Sequence, residues 1–376
     1  MKKLFAIVIF LSAALHLFAA DTVSYKIRKI ENWAFYGWQY PTVQVVAAND
    51  RGVHRQLNLK CEILSYNGRS LYELIQLGTV NPKDSLDMAF SFKTLTPGFY
   101  NALFWDNGRV VKSVNIAYEP EKIVSTEHFR DSLPVSDRNF NRLVEGVNGE
   151  KGKLSRQFSV VKNKRLSGKE KTVYDFKMTS REGKVVKGYV AVPKQGKKFP
   201  AMITYVPVEV RNENPLADFT ARGDMIEMVL YMGERGNGET YFWNTATDIS
   251  LAIEYIMMRK DVDPAAVYTQ GERAGAAFSV ISSAIDNRIK VSFGTTPDFS
   301  RFIEYFTPES LAANVSAPVL LGLGLQDKTI RLQEDFAVYN SIKGVKEYFI
   351  FPQSGDVERN KWKYIRDTFL LRLKAL

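Results

Sequence analysis

Alternation of apolar strand-like runs with helical patterns constrains the fold of this chain most strongly, and it begins at about residue 172. Such alternation is typical of a parallel sheet with helices on both faces. The predicted strands of this half are residues 185–192, 201–206, 226–231, 267–269, 291–293, 319–325 and 347–351. A last helix is predicted over residues 357–374. The pattern therefore predicts an α/β domain over residues 171–376.

Residues 21–118 carry a different pattern, in which short strands alternate with turn residues. The predicted strands are residues 43–46, 57–64, 88–92 and 110–116, with Asn-Gly or Pro-Gly pairs between them. This spacing is typical of a small all-β sandwich of immunoglobulin or fibronectin type. Residues 119–170 are polar, and we expect them to connect the two domains with one helix near residues 139–144.

Residues 1–20 have the layout of a secretory signal peptide. Lys2 and Lys3 precede an apolar run, and Ala19 and Ala20 supply small residues before Asp21. Because the run is shorter than the ~20 residues that span a bilayer, we expect export to the periplasm or the extracellular space, with no membrane anchor after cleavage. The net charge of +10 is dispersed without a long basic run. We therefore expect no nucleic-acid partner, and the positive charge indicates either an ordinary solvated basic surface or attraction to an anionic polysaccharide or envelope surface.

Histidine is scarce, with three residues in the chain: His16, His54 and His128. Because none follows residue 128, the C-terminal part acting alone lacks the base of a Ser-His-Asp or Cys-His relay and the ligands of a multi-histidine zinc site. The single cysteine, Cys61, excludes an intrachain disulfide and a cysteine metal cluster. We expect neither a metal nor another cofactor.

The segment GERAG at residues 271–275 lies between a predicted strand and a predicted helix, where α/β-hydrolases have the G-x-S-x-G turn that presents their nucleophile. Other motifs accompany it in a consistent order: KGYVAVP at 187–193, RGNG at 235–238, GLQD at 324–327 and FPQSGD at 351–356. On these motifs, residues 185–376 resemble the acetyl xylan esterase and cephalosporin C deacetylase family. The resemblance implies an α/β-hydrolase fold and a carbohydrate ester as the family's substrate class.

The resemblance also implies where the family's catalytic groups fall. The nucleophilic serine falls on Arg273, the triad acid on Asp327 and the histidine on Asp356. The loop that usually provides the oxyanion hole contains Pro207, which has no N–H, and Glu209, which brings a negative charge. We therefore predict a degenerate triad with no intact catalytic set, while Gly271 and Gly275 keep the turn. Our hypothesis is that Arg273, Asp327 and Asp356 form an ion cluster.

Three interpretations of function stay open. In the first, the protein is an exported pseudoenzyme that binds a xylan-like polysaccharide or an envelope protein. In the second, it is an active carbohydrate deacetylase with a non-standard set, such as Asp298 paired with Asp327 or Asp356 for acid/base work. In the third, it is a scaffold for protein–protein contacts. The hydroxyls of Ser279, Ser282 and Ser283 follow the turn and are more typical of helix packing than of catalysis.

Two groups of residues are candidates for ligand contacts. Tyr241 and Trp243 are predicted to flank the site, where they would line a sugar-binding cleft together with Asp298 and Glu209. Five aromatic residues also lie within residues 33–40, and they predict either a surface that stacks on sugar rings or packing inside the sandwich. The surface candidates among them are Trp33, Tyr36 and Trp38.

Overall fold

The computed structural model describes residues 23–28, 34–37, 39–92, 95–124, 140–151, 158–180, 182–208, 219, 223–233, 239–299, 307–328, 331–355 and 357–375. The chain divides into two compact units, Met1–Glu119 and Pro120–Leu376. Among the described residues, no helix combines the length and the apolar character that crossing a bilayer requires. The predicted signal peptide, residues 1–20, lies outside the described residues.

The described part of the N-terminal unit contains eight strands. Their bounds are β1 Ser24–Ile27, β2 Ala34–Phe35, β3 Thr42–Asn49, β4 Arg55–Ser65, β5 Ser70–Val80, β6 Asp84–Ser91, β7 Gly98–Asp106 and β8 Arg109–Tyr118. They form a three-stranded sheet with the order β1-β3-β6 and a five-stranded sheet with the order β2-β8-β7-β4-β5. All neighbours are antiparallel except the short β2–β8 pair.

The two sheets share one apolar core. Burial alternates along β4, where every second residue from Leu57 to Ile63 is buried. Phe90 of the smaller sheet packs edge-to-face on Phe104 of the larger one, with ring centroids 5.5 Å apart. Cys61 lies in this core, and burial raises the pKa of its thiol. Facing sheets with alternating burial confirm the predicted sandwich.

The C-terminal unit combines nine strands and six helices in its described part. The strands are β9 Phe158–Lys162, β10 Lys171–Thr179, β11 Val185–Pro193, β12 Phe199–Pro207, β13 Ile226–Met232, β14 Val262–Glu272, β15 Val291–Thr295, β16 Val319–Gly324 and β17 Lys346–Phe351. The helices are α1 Phe140–Lys151, α2 Glu239–Met258, α3 Ala274–Ile285, α4 Pro308–Asn314, α5 Leu332–Ser341 and α6 Arg359–Ala375, with a short 3₁₀ helix at Pro120–Lys122.

One mixed sheet organises this unit, in the order β17-β16-β15-β14-β12-β13-β11-β10-β9. The six strands β17, β16, β15, β14, β12 and β13 are parallel, and β11, β10 and β9 extend the sheet in antiparallel fashion. Strand β13 is buried along its whole length, and its sequence is apolar except for Glu227, which is buried in an ion pair with Lys171. The predicted fold class, an α/β domain preceded by an all-β sandwich, is confirmed.

Residues 119–170 were expected to connect the two domains with one helix near residues 139–144, and they contain that helix as α1 together with the strand β9, which was not predicted. Helix α1 buries Phe140, Leu143 and Val147, and β9 pairs with β10, so both elements belong to the C-terminal unit. The physical reason is that β9 is an edge strand of five residues with mostly exposed side chains, so its sequence lacks the alternation of a half-buried strand.

The parallel strands determine where a site can form. The carboxyl ends of β14, β15 and β16 lie at the same edge of the sheet because these strands are parallel neighbours. Arg273, Asp298 and Asp327 follow the ends of these three strands in turn. This edge of an α/β sheet is the usual place for ligands.

Candidate functional site

The turn between β14 and α3 has a strained backbone. Arg273 has φ 53° and ψ −122°, on the left-handed side that favours glycine. A Cβ on Gly271 would lie 2.2 Å from the carbonyl carbon of Gly275, and a Cβ on Gly275 would lie 2.2 Å from the backbone oxygen of Tyr205. Both positions therefore require glycine. This geometry presents the nucleophile in α/β-hydrolases, and here it presents a guanidinium group.

Backbone hydrogen bonds fix this turn to the neighbouring strand. The N–H of Arg273 donates to the carbonyl of Thr295 at 3.0 Å, and the Arg273 carbonyl accepts from the N–H groups of Ala276 at 3.0 Å and Asp298 at 3.2 Å. Pro207 lies on the other side, with its Cδ 3.4 Å from the position of a Cβ on Gly275. A residue without an N–H thus borders the start of α3, and Glu209 lies outside the described residues.

The Arg273 side chain forms an ion pair with Asp327. Nη2 of Arg273 lies 3.1 Å from Oδ2 of Asp327, whose side chain is 4% exposed, while that of Arg273 is 33% exposed. Two of the three residues of the hypothesised ion cluster therefore meet. Asp356 lies outside the described residues. Its neighbour Gly355 packs against Asp327, since a Cβ there would lie 3.3 Å from the Asp327 Cα.

Two further carboxyl groups, Glu334 and Asp335, lie buried at the start of α5. Burial raises the pKa of Glu334 to about 7, although its pairing with Arg331 at 3.1 Å opposes the shift. Burial also raises the pKa of Asp335 well above its ordinary value, and the charges of Asp298, Glu334 and Asp327 add to that rise. One oxygen of each group, Oε2 and Oδ2 respectively, is buried without a hydrogen-bond partner among the described residues.

The charges of Asp298, Asp327 and Glu334 therefore all act on Asp335, while Arg273 pairs with Asp327 and Arg331 pairs with Glu334. Asp335 also accepts a hydrogen bond from the backbone N–H of Phe299 at 3.2 Å, which ties α5 to the segment after β15. The sequence reasoning missed Glu334 and Asp335. Acidic residues are common in the first turn of a helix because they interact favourably with the positive end of the helix dipole. The sequence pattern therefore does not indicate that these two residues are buried.

The helix after the turn does not supply a nucleophile. Ser279, Ser282 and Ser283 are all buried. The Ser282 hydroxyl donates to the Phe278 carbonyl at 2.7 Å and lies 2.9 Å from the Tyr205 hydroxyl, and Ser283 bonds the carbonyl of Val280. Within the described ranges, no group of three or more His, Cys, Asp and Glu side chains is arranged to hold a metal ion.

The aromatic candidates divide among several environments. Trp243 packs on α1, since a Cβ on Gly146 would lie 2.0 Å from the indole ring, and Tyr241 is half-buried in the same turn of α2. In the sandwich, Tyr36 is 41% exposed and its neighbour Phe35 is buried. Trp33 and Trp38 lie outside the described residues. Of the three surface candidates, the structure therefore describes Tyr36, and its side chain is exposed.

Comparison with known proteins bears on the C-terminal unit. The family model for acetyl xylan esterase (AXE1) matches residues 298–371. The acetyl xylan esterase from Paenibacillus sp. R4 superposes with a TM-score of 0.55 at 16% identity, over 66% of this chain and 98% of that one. Acetyl xylan esterase 1 from Thermoanaerobacterium sp. JW/SL YS485 superposes with a TM-score of 0.57 at 16% identity, over 68% of this chain and 98% of that one. A search of curated protein sequences finds no match.

These matches confirm the resemblance that the sequence motifs indicated. The family model includes Asp298, Asp327 and the two buried carboxyl groups of α5, but it begins after the turn that carries Arg273. At 16% identity, the superposed structures establish the fold and not the activity. The C-terminal unit is therefore an α/β-hydrolase-type domain with the fold of acetyl xylan esterases.

Proposed function

We propose that this protein is an exported, carbohydrate-binding relative of acetyl xylan esterases that does not hydrolyse esters by the serine mechanism. The observation that carries the proposal is the Arg273–Asp327 ion pair at the turn between β14 and α3. A guanidinium group has no nucleophilic oxygen, and serine-type hydrolysis needs nucleophile, base and oxyanion donors in one place.

The surroundings of the turn support the loss of hydrolysis. The neighbouring serines are buried and hydrogen-bonded inside the helix. Pro207 borders the turn without an N–H to offer to an oxyanion. The carboxyl group of Asp298 would repel the negative charge that develops in ester hydrolysis. These features leave the turn without a nucleophile and without an N–H at Pro207, while Asp327 keeps the acid of the triad.

The ligand class rests on fold analogy to proteins described as acetyl xylan esterases. We propose a xylan-like polysaccharide as the ligand at the edge of the sheet where Arg273 and Asp298 lie. Arg273 is one-third exposed and Asp298 is half-buried. A guanidinium and a carboxylate offer donors and acceptors to sugar hydroxyls.

Affinity electrophoresis in gels that contain xylan tests the binding directly. We expect xylan to retard the natural protein and to retard Arg273→Ala less. Retardation of neither protein would reject carbohydrate binding at this edge and would favour the scaffold interpretation. Tyr36→Ala serves as a matched variant in the sandwich, and it separates binding by the N-terminal aromatic residues from binding by the sheet edge.

A reversion experiment tests the proposed loss of chemistry. The double variant Arg273→Ser, Asp356→His restores the residue types of the family's nucleophile and base. Appearance of 4-nitrophenyl acetate hydrolysis in the double variant alone supports a dead triad. Equal hydrolysis by the natural protein would favour the second interpretation, in which a non-standard set of catalytic residues includes Asp298. Asp298 is half-buried, whereas Glu334 and Asp335 are buried.

Export is part of the same proposal. The layout of residues 1–20 supports it, and Edman degradation of the protein secreted from its native host would give Asp21 as the first residue if cleavage follows Ala20. An intact N-terminus in the cytoplasmic fraction would reject export.

A further inference from the structure

A cavity of about 420 Å³ lies in the C-terminal unit, away from the turn that carries Arg273. Val173 of β10, Ala191 of β11 and Glu227 of β13 form one row across three neighbouring strands and line it. Leu166 and Gly168, from the loop between β9 and β10, and Phe219, from the connection between β12 and β13, enclose it. The cavity therefore lies on one face of the antiparallel half of the sheet.

This cavity is distinct from the site at the turn. Glu227 shares a row with Met202, and Met202 shares a row with Tyr268 of β14. Arg273 follows Tyr268 by five residues, which is about 16 Å along the strand direction. A ligand in the cavity would therefore not touch the ion pair of Arg273 and Asp327.

An ion pair provides the polar part of the cavity. Nζ of Lys171 lies 2.5 Å from Oε2 of Glu227, and the two side chains are only 15% and 2% exposed. At the rim, the exposed Lys169 and Glu170 also carry opposite charges. The described lining thus carries two groups of each charge. These four groups favour neither sign of ligand charge, since a charged ligand is repelled by one member of each pair and attracted by the other.

The same pair matches neighbouring hydroxyl groups. An ammonium group only donates hydrogen bonds and a carboxylate only accepts them, whereas a hydroxyl does both. Two adjacent hydroxyls can therefore bond to Lys171 and Glu227 at once without breaking their ion pair. The remaining walls are apolar, from Leu166, Val173, Ala191 and Phe219, and they suit the C–H face of a sugar ring.

We propose that this cavity binds a neutral saccharide of one or two rings, as a second carbohydrate site that is independent of Arg273. The volume lies at the lower end of the range for small-molecule pockets, about 300–1,000 Å³, which suits a ligand of that size. The proposal goes beyond the function proposed above because it assigns a ligand to a second cavity. The described lining of this cavity contains none of the triad positions Arg273, Asp327 and Asp356.

Two variants test the site without depending on a disrupted core. Gly168 lines the cavity, its backbone does not require glycine, and a Cβ there would meet no atom within 4 Å, so Gly168→Phe places a bulky ring at the cavity wall without strain. Gly344→Phe is the matched control, because Gly344 has the same open surroundings near β17 at the opposite edge of the sheet. Replacing both members of the ion pair, Lys171→Met with Glu227→Met, removes the two charged groups together, so that neither is left buried without the other.

Ligand-observed NMR with xylose, xylobiose, glucuronate and glucosamine measures the binding, and thermal melting checks that each variant is folded. We expect xylose or xylobiose to bind the natural protein and Gly344→Phe with a Kd on the order of 1 mM. We expect at least about tenfold weaker binding to Gly168→Phe and to the folded double variant than to Gly344→Phe. Preference for glucuronate or glucosamine, absence of saccharide binding, or equal binding by all variants would overturn the proposal. If the protein binds xylose but does not bind xylan, the proposed function is rejected and the saccharide site in this cavity is supported.

Discussion

Removal of the Arg273 side chain is expected to destabilise the C-terminal unit. In Arg273→Ala, the carboxylate of Asp327, which is 4% exposed in the natural protein, loses the guanidinium that lies 3.1 Å away. Loss of one partner from a fully buried pair costs about 3–5 kcal/mol, and loss of an exposed pair costs less than about 1 kcal/mol. Because the Arg273 side chain is one-third exposed, solvent screens the pair, and we expect a cost of about 2 kcal/mol.

The backbone at this position gives the prediction a second part. Arg273 adopts φ 53°, which costs a non-glycine residue about 1–2 kcal/mol. Arg273→Gly removes the charge and relieves the strain, whereas Arg273→Ala removes the charge and keeps the strain. We therefore expect the order of stability to be natural protein, then Arg273→Gly, then Arg273→Ala, with about 1 kcal/mol between the two variants.

Scanning calorimetry at neutral pH is a suitable assay because it can separate the unfolding of the two compact units. A double-mutant cycle of Arg273→Ala with Asp327→Asn isolates the pair, and we expect a coupling free energy of about 1–2 kcal/mol. Coupling below about 0.3 kcal/mol would refute the reasoning, since independent sites add within that margin. An Arg273→Gly variant less stable than Arg273→Ala would refute the assignment of strain.

Three other changes test separate features. Glu334→Gln is expected to stabilise the protein by up to about 3 kcal/mol near pH 8 and not near pH 4. Burial raises the pKa of this carboxyl from 4.5 to about 7, so its ionisation opposes folding as the pH rises through that window. Equal effects at both pH values would contradict this prediction. Gly275→Ala is expected to lose about 3 kcal/mol or more in thermal melts, since its Cβ would lie 2.2 Å from a backbone oxygen, while Gly344→Ala has no such clash. Gly146→Ala would gain about 1 kcal/mol in helix propensity, but we expect net destabilisation from contact with Trp243; a more stable variant would show that α1 does not pack there.

The sequence predicted those parts of the molecule whose local pattern agrees with their environment. The strands that became β12 and β13 are buried on both faces, so their apolar runs predicted them directly. The turn was recognisable because two glycines four residues apart are needed where strand and helix backbones touch. Asp327 was assigned through the resemblance of the GLQD motif at residues 324–327 to the acetyl xylan esterase family.

Features that depend on tertiary packing could not be predicted in the same way. Strand β9 looks like a connection because an exposed edge strand has no buried face to impose alternation. Glu334 and Asp335 look like ordinary acidic residues at a helix start, and only the packing of α5 beneath the segment after β15 buries them. The contact of Trp243 with Gly146 joins residues almost a hundred positions apart, and no local pattern indicates it.

The initial rate of acetyl ester hydrolysis by the natural protein tests the central claim most directly. With 4-nitrophenyl acetate, and with acetylated xylan followed by acetate release, we expect a rate equal to that of buffer with an unrelated protein. The result that would contradict the account is saturable turnover by the natural protein that falls at least about a hundredfold in Asp327→Asn, which is the scale of loss when a positioned acid or base is removed.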